Sequence, residues 1–312
     1  MSLTDLDELL AGGGPTRATG TFRIGEMPGG SAIDVPYTLI RGEPGPTVWV
    51  MAARDGDEVH ASLVAMRVQR ALMPGDVHGT IVVMPIGNVP GFGVLSRAHP
   101  LAPTYLESQM DDRYFDVISE RGGLFIDLHS AGVPSDTVDW TLFVEDDEAG
   151  AAMARAYGSP FVYEHRMGGG EGPDPGLLDG ALFVRLSQAG VSSILIEAGG
   201  GLPPSPQTVD RAFDGVWNVL RALGAIDEEP KPTPAPRVLH GFRIVTPSRG
   251  GFFEDGIPLG SEVGVGDRLA TIVDAHGEVV EEIVAPVGGT VLTIPVNPGL
   301  TGTGAWAYEI GW

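Results

Sequence analysis

The sequence predicts an α/β fold: a mostly parallel, mixed sheet with helices on both faces, followed by a small C-terminal all-β, barrel-like domain. Three observations lead there. Apolar strand-length runs alternate with helix-period segments for about 200 residues, the pattern of a largely parallel sheet covered on both faces. Proline then stands at every second position from Pro230 to Pro236, which makes a stiff, extended linker. Beyond it no helical period returns, and glycine-punctuated strand runs continue to Trp312, as in a small barrel or sandwich.

The elements follow in order. Residues 1–20 contain the breaker cluster Ala11-Gly12-Gly13-Gly14-Pro15 and are expected to be loosely held. Thr21–Ile24 and Val35–Ile40 read as strands, and Thr47–Ala52 as a strand buried on both faces. Val59, Leu63, Val64, Val68 and Leu72 fall at helical spacing before the stop Pro74-Gly75. Strands are expected at Thr80–Pro85, Gly123–His129, Trp140–Val144 and Ser192–Glu197, and helices at Asp147–Tyr157 and Gly180–Ala189. A last helix opens at Ser205-Pro206 and carries the stripe Val209, Phe213, Val216, Trp217, Leu220 and Leu223. The α/β domain is thus expected over residues 21–226, the linker over 227–237 and the β domain over 238–312.

Composition narrows the function. The 312 residues include 41 Asp and Glu against 19 Lys and Arg, a net charge of −22. Such a chain repels phosphate backbones and anionic lipid, so neither nucleic acid nor membrane is an expected partner. Cysteine is absent, so any metal must be held by His, Asp or Glu. No apolar run approaches the roughly 20 residues of a membrane span, and Met1–Asp5 lacks a signal-peptide layout. The expected setting is cytoplasmic, with a small-molecule substrate and room for a homo-oligomer.

Three polar clusters stand where apolar strands end: Arg54-Asp55-Gly56-Asp57-Glu58-Val59-His60, Asp127-Leu128-His129-Ser130 and Glu197-Ala198-Gly199-Gly200-Gly201. Each alone has an ordinary structural explanation. Acids suit a helix N-terminus, a histidine can serve as a hydrogen-bonded core residue, and glycines make turns. Together they deliver Asp55, Glu58, His129 and Glu197 to one sheet edge, where open α/β sheets bind ligands. Two carboxylates and an imidazole can ligate a divalent metal, and a further Glu can serve as general base. Asp55 and Glu58, three residues apart, are expected to share a face of a first helical turn.

With these motifs the chain resembles the succinylglutamate desuccinylase/aspartoacylase family, relatives of the zinc carboxypeptidases. The resemblance runs over residues 20–312 through Asp55-Gly56-Asp57-Glu58, Pro85-Ile86-Gly87-Asn88, Arg97 with Asp112-Arg113-Tyr114-Phe115, Asp127-Leu128-His129-Ser130 and Glu197-Ala198-Gly199-Gly200, with Ala285–Gly289 and Gly266–Leu269 beyond them. It implies a hydrolase acting on C–N bonds, a deacylase that cleaves the amide of an N-acylated small molecule with a metal-activated water. On that footing Asp55, Glu58 and His129 hold one divalent metal. Glu197 is the general base, and Arg97 helps stabilise the oxyanion. Arg113 clamps a substrate carboxylate beside Asp112, and Asn88 lines the site or shapes its turn.

Two positions depart from the family. Asp55 stands where it has His, and Asp112 where it has Asn. A carboxylate in place of imidazole lowers the charge of the metal site and lets Mn or Fe compete with Zn. Both changes turn the pocket from acidic N-acyl amino acids towards neutral or cationic amides. His60 is the reserve ligand. Two other readings stand beside this one: an inactive relative that binds a small molecule or partner, and a metal enzyme of the same fold cleaving a different bond. The β domain offers few candidates for chemistry, and the resemblance gives it the role of walling the pocket.

Overall fold

The computed structural model describes residues 3–98, 103–168, 176–296 and 299–312. The first half of the chain forms α1 (Leu3–Ala11), β1 (Thr16–Glu26), β2 (Ala32–Arg41), β3 (Glu43–Ala52), α2 (Val59–Ala71), β4 (His78–Met84), α3 (Val89–Phe92), α4 (Pro103–Ser119) and β5 (Leu124–His129). There follow β6 (Ser135–Thr137), β7 (Trp140–Val144), α5 (Glu148–Tyr157), β8 (Phe161–His165), α6 (Leu182–Gln188), β9 (Ser192–Glu197) and α7 (Pro206–Ala222). Strands alone complete the chain: β10 (Arg237–Leu239), β11 (Phe242–Val245), β12 (Gly251–Gly256), β13 (Glu262–Val263), β14 (Arg268–Val273), β15 (Val279–Val284), β16 (Gly289–Pro295), β17 (Leu300–Thr301) and β18 (Tyr308–Gly311).

Nine strands make the large sheet, in the order β1-β2-β4-β3-β5-β9-β7-β8-β10. Its centre, β4-β3-β5-β9, is parallel, and antiparallel pairings occur at β1-β2, β2-β4 and β9-β7. Alternation along β3 builds the two faces. Val48, Val50 and Ala52 pack with residues of α2, α5 and α7, while Trp49 and Met51 pack with residues of α1, α4 and α6. The C-terminal strands form two antiparallel sheets, and β6 of the preceding segment pairs with β16 there.

The N-terminal segment differs from the sequence expectation. Residues 3–11 are helical and β1 begins at Thr16, well inside the stretch expected to be loose. Leu6 is fully buried on the core face, and Arg121 pairs with Asp7, so packing orders the residues before the glycine cluster, which still ends the helix. Between Arg97 and Arg113, α4 begins at Pro103. The expected domain boundary at residue 238 falls inside β10, which extends the large sheet beside β8. Asn218 of α7 fastens the preceding proline-rich stretch through Lys231, donating to its carbonyl at 3.0 Å and accepting from its N–H at 2.7 Å.

Candidate metal centre

Because β3, β5 and β9 are parallel neighbours, their carboxyl ends reach one edge of the sheet. Phe125 belongs to the α4/α6 face, so alternation places Asp127 and His129 on that face too. His129 and Glu197 are register partners on β5 and β9, which sets their side chains side by side.

Past β3 the chain turns sharply at Ala53, whose φ of 48° is left-handed. Asp55 and Glu58 lie in the turn that follows, closed by the Glu58 N–H donating to the Asp55 carbonyl at 3.2 Å. The expected shared helical face is therefore corrected to a turn. Glu58 is the N-cap of α2 with φ −90° and ψ 68°, and its side chain makes no capping bond, leaving it free for the site. Gly56 is required there, since a Cβ would meet the backbone of Gly91 at 2.3 Å. The turn is also tied to the Arg97 segment, because the Gly56 N–H donates to the Arg97 carbonyl at 3.1 Å.

Asp55, Glu58 and His129 are all buried, and one ligand atom from each lies within 4.8 Å of the others. His129 turns Nδ1 to the carboxylates, 3.1 Å from Glu58 Oε2 and 3.5 Å from Asp55 Oδ2. Its Nε2 lies 3.2 Å from Asp127 Oδ1, the carboxylate–imidazole arrangement that orients a metal-ligating histidine. Glu58 Oε2 is buried without a hydrogen bond of good geometry. Two buried carboxylates and an oriented imidazole with such an oxygen suit a divalent cation. The chain adds cations of its own. Arg54 Nη1 lies 2.9 Å from Asp55 Oδ1 and Arg97 Nη2 2.8 Å from Asp55 Oδ2. Arg54 is held in turn by both carboxylate oxygens of Asp111.

The electrostatics follow this packing. Burial opposes ionisation of Asp55, but Arg97, the hydrogen bond and charge of His129, and Arg54 outweigh it and hold its carboxyl well below the ordinary range. Burial and then Asp55 push Glu58 up to about 7, against the pull of His129 and Arg97. Burial opposes protonation of His129, but Glu58 and Asp127 overcome it and raise the imidazole. Burial first, then Glu58 and Glu309, raise Glu197 well above the usual carboxylate value.

These residues line a cavity of about 490 Å³. The turn after Glu197 needs glycine, because Gly199 takes a left-handed φ of 70° and Gly200 approaches the Ser135 carbonyl too closely for a Cβ, at 2.1 Å.

A sequence model of the succinylglutamate desuccinylase/aspartoacylase catalytic domain matches residues 44–223, the span that supplies Asp55, Glu58, His129 and Glu197. The chain belongs to this family. It is 23% identical over 265 residues to an N-alpha-acetyl-L-2,4-diaminobutyric acid deacetylase of Halomonas elongata, covering 78% of this chain and 75% of the relative. A succinylglutamate desuccinylase from Silicibacter sp. TM1040 shares the fold with a TM-score of 0.80 at 22% identity, over 97% of this chain and 96% of that one. The product-bound ectoine utilization protein EutE (DoeB) of Ruegeria pomeroyi matches with a TM-score of 0.80 at 24% identity, over 97% and 96% of the chains. As a family member, the chain is an amide-bond hydrolase of small molecules. Among the described residues, no helix is long and apolar enough to cross a membrane.

Not every residue expected at the site reaches it. Asp111 and Tyr114, three apart on α4, face inward: Asp111 holds Arg54, and the Tyr114 hydroxyl donates to the Gly87 carbonyl at 2.6 Å. Helical rotation turns Asp112 and Arg113 elsewhere. Asp112 pairs with Arg185 at 2.8 Å, and neither residue is in the cavity wall. Their expected substrate-binding place is corrected accordingly. Asn88 shapes its turn: Oδ1 accepts from the Gly91 N–H at 2.9 Å, and Nδ2 donates to the Arg97 carbonyl at 3.2 Å. His60 is no reserve ligand, because its Nε2 accepts from the Ser205 N–H at 2.9 Å, at the start of α7.

Sequence reasoning missed Arg54, Asp111, Trp306 and Glu309. Arg54 opens the first polar cluster and Asp111 adjoins a quoted motif, so their chemistry was visible though their pairing was not. Trp306 and Glu309 come from the β domain, lie in the cavity wall, and follow no motif.

Proposed function

We propose that this family member is a metal-dependent deacylase, cleaving the C–N bond of an N-acylated small molecule at the site of Asp55, Glu58, His129 and Glu197. The observation that carries the reading is the convergence of three buried ligand atoms within 4.8 Å, beside a carboxylate in register with His129. Asp55, Glu58 and His129 Nδ1 would hold one divalent ion, with Zn favoured and Mn or Fe competing. When bound, that ion supplies Lewis acidity for the carbonyl and lowers the pKa of water.

The chain's own residues do the rest. Asp127 holds His129 so that Nδ1 faces the site. Glu197 takes the proton of the attacking water and passes it to the departing nitrogen. Arg97 is anchored on Asp55, with its guanidinium 5.7 Å from the centroid of the Trp306 ring. From the cavity wall it offers N–H groups to the oxygen that gains charge. The apolar wall excludes water and positions the substrate.

One observation favours the non-catalytic binding reading: Arg97 already sits on Asp55 Oδ2. Elemental analysis of the purified protein beside a panel of N-acyl amides separates the two. About one divalent metal per chain with turnover that a chelator abolishes supports the deacylase. A metal-free protein inert on every amide, with or without added Zn, Mn or Fe, refutes it.

A further inference from the structure

We infer that Glu309 forms a cation subsite in the cleft and that the substrate carries an ammonium group on a short apolar arm. This rests on the deacylase reading for the word substrate. The subsite itself rests on a different part of the molecule.

Glu309 lies on β18, in the β domain that the sequence left without chemistry. It is 7% exposed and forms part of the cavity wall. Its orientation is set by Thr293 of β16, whose Oγ1 lies 2.6 Å from Glu309 Oε2. Thr293 Oγ1 is in turn 3.1 Å from the Thr137 hydroxyl, which donates to the Leu292 carbonyl at 2.9 Å. Hydroxyls therefore hold the carboxyl in place, but they bring no charge. Among the described residues, Glu309 forms no ion pair. The arginines of the cleft are committed elsewhere, Arg54 to Asp55 and Asp111 and Arg97 to Asp55.

A buried carboxylate without an ion-pair partner is costly. In a cavity wall, a cationic ligand removes that cost. The remainder of the wall suits such a ligand. Trp140, Leu142, Leu182 and Phe242 offer apolar surface for methylenes. Ser130 Oγ, in the same wall, is buried without a hydrogen-bond partner and can bond a polar group of the ligand. The charge balance agrees, with six carboxylates lining the cavity against two guanidiniums. A divalent ion would not reverse that sign. Arg113, the residue expected to clamp a substrate carboxylate, lies outside this wall.

The test compares N-acetyl-1,4-diaminobutane, which carries the ammonium, with N-pentylacetamide, its neutral isostere. Affinities are measured by titration calorimetry at pH 8 on a Glu197→Gln background, so that binding is read without hydrolysis. The ammonium probe should bind at least about tenfold more tightly, the scale of a hydrogen bond to a charged group. Adding Glu309→Gln, which keeps an oxygen for Thr293, should erase that preference and move the neutral probe less than about threefold. On the parent enzyme, butylammonium should compete with a turned-over amide and butan-1-ol should not, a contrast that needs no substitution at position 309. Equal binding of the two probes, no measurable binding of either, or a preference that survives Glu309→Gln overturns the subsite. A Glu309-dependent preference in a protein that hydrolyses no amide would instead sink the deacylase reading and leave the subsite standing.

Discussion

Replacing Glu309 by Gln should make the protein more stable as pH rises, relative to the parent. Burial pushes the Glu309 carboxyl up to about 7 from an ordinary 4.5, against the hydrogen bond of Thr293 and the charge of Arg97. The folded chain therefore keeps this proton over a range where the unfolded chain has lost it. Stability from this group is full below about 4.5, falls as pH rises towards 7, and is flat above. At about 1.4 kcal/mol per pH unit, the whole displacement is worth about 3 kcal/mol, and about 2–3 kcal/mol of it falls between pH 5 and pH 8. Gln carries no charge at any pH, so the variant escapes the loss. Glu58 titrates in both proteins, and loss of the Glu309 charge also eases ionisation of Glu197, which acts in the same direction. Urea unfolding of the two proteins at pH 5 and pH 8, with chelator present, measures it. In thermal melts the same change amounts to about 4 °C for a chain of this length. A stability difference that is the same at both pH values would refute the raised carboxyl and the burial argument behind it.

Other expectations follow from the same geometry. His129→Ala should strip nearly all metal from the purified protein, and full metal content in that variant would refute the ligand assignment. Glu197→Gln should retain metal while kcat falls about 10²–10⁴-fold, and loss of metal instead would make Glu197 a ligand. Asp55→Ala should weaken metal binding, whereas Asp55→His should keep a metal, shift its preference and move the pH–rate profile to lower pH, because a more positive site acidifies its water further. Arg113→Ala should leave kcat/KM within about threefold, because Arg113 is outside the cavity wall, so a large rise in KM would return Arg113 to the substrate. Asp111→Asn should loosen Arg54 and weaken metal binding through Asp55, read as a lower metal affinity in calorimetry.

Motifs that sit at strand ends were readable from sequence because their placement needs little tertiary information. An apolar run predicts β3, β5 or β9, and a parallel sheet aligns their carboxyl ends. Asp55, Glu58, His129 and Glu197 followed from that alone. Residues on α4 were harder, since one position along a helix is a turn of about 100°. Asp111, Asp112 and Arg113 are adjacent in sequence, yet only Asp111 reaches the half-buried Arg54. The N-terminal segment failed for another reason: its glycines speak for a loop locally, while Leu6 packs into a core assembled from distant strands.

Local pattern thus determined the fold class, the exclusion of thiolate chemistry and the set of residues available for a metal. Pairing and packing across long sequence separations decided the rest: the commitment of both Arg54 and Arg97 to Asp55, the orientation of His129 by Asp127, and the entry of Glu309 into the cleft. The physical reason is range. Periodicity and turn chemistry act over a few residues of chain, whereas a buried charge is governed by whatever stands within a few ångströms of it. For Glu309 those neighbours are Thr293 and a cavity whose other wall is built more than 100 residues earlier.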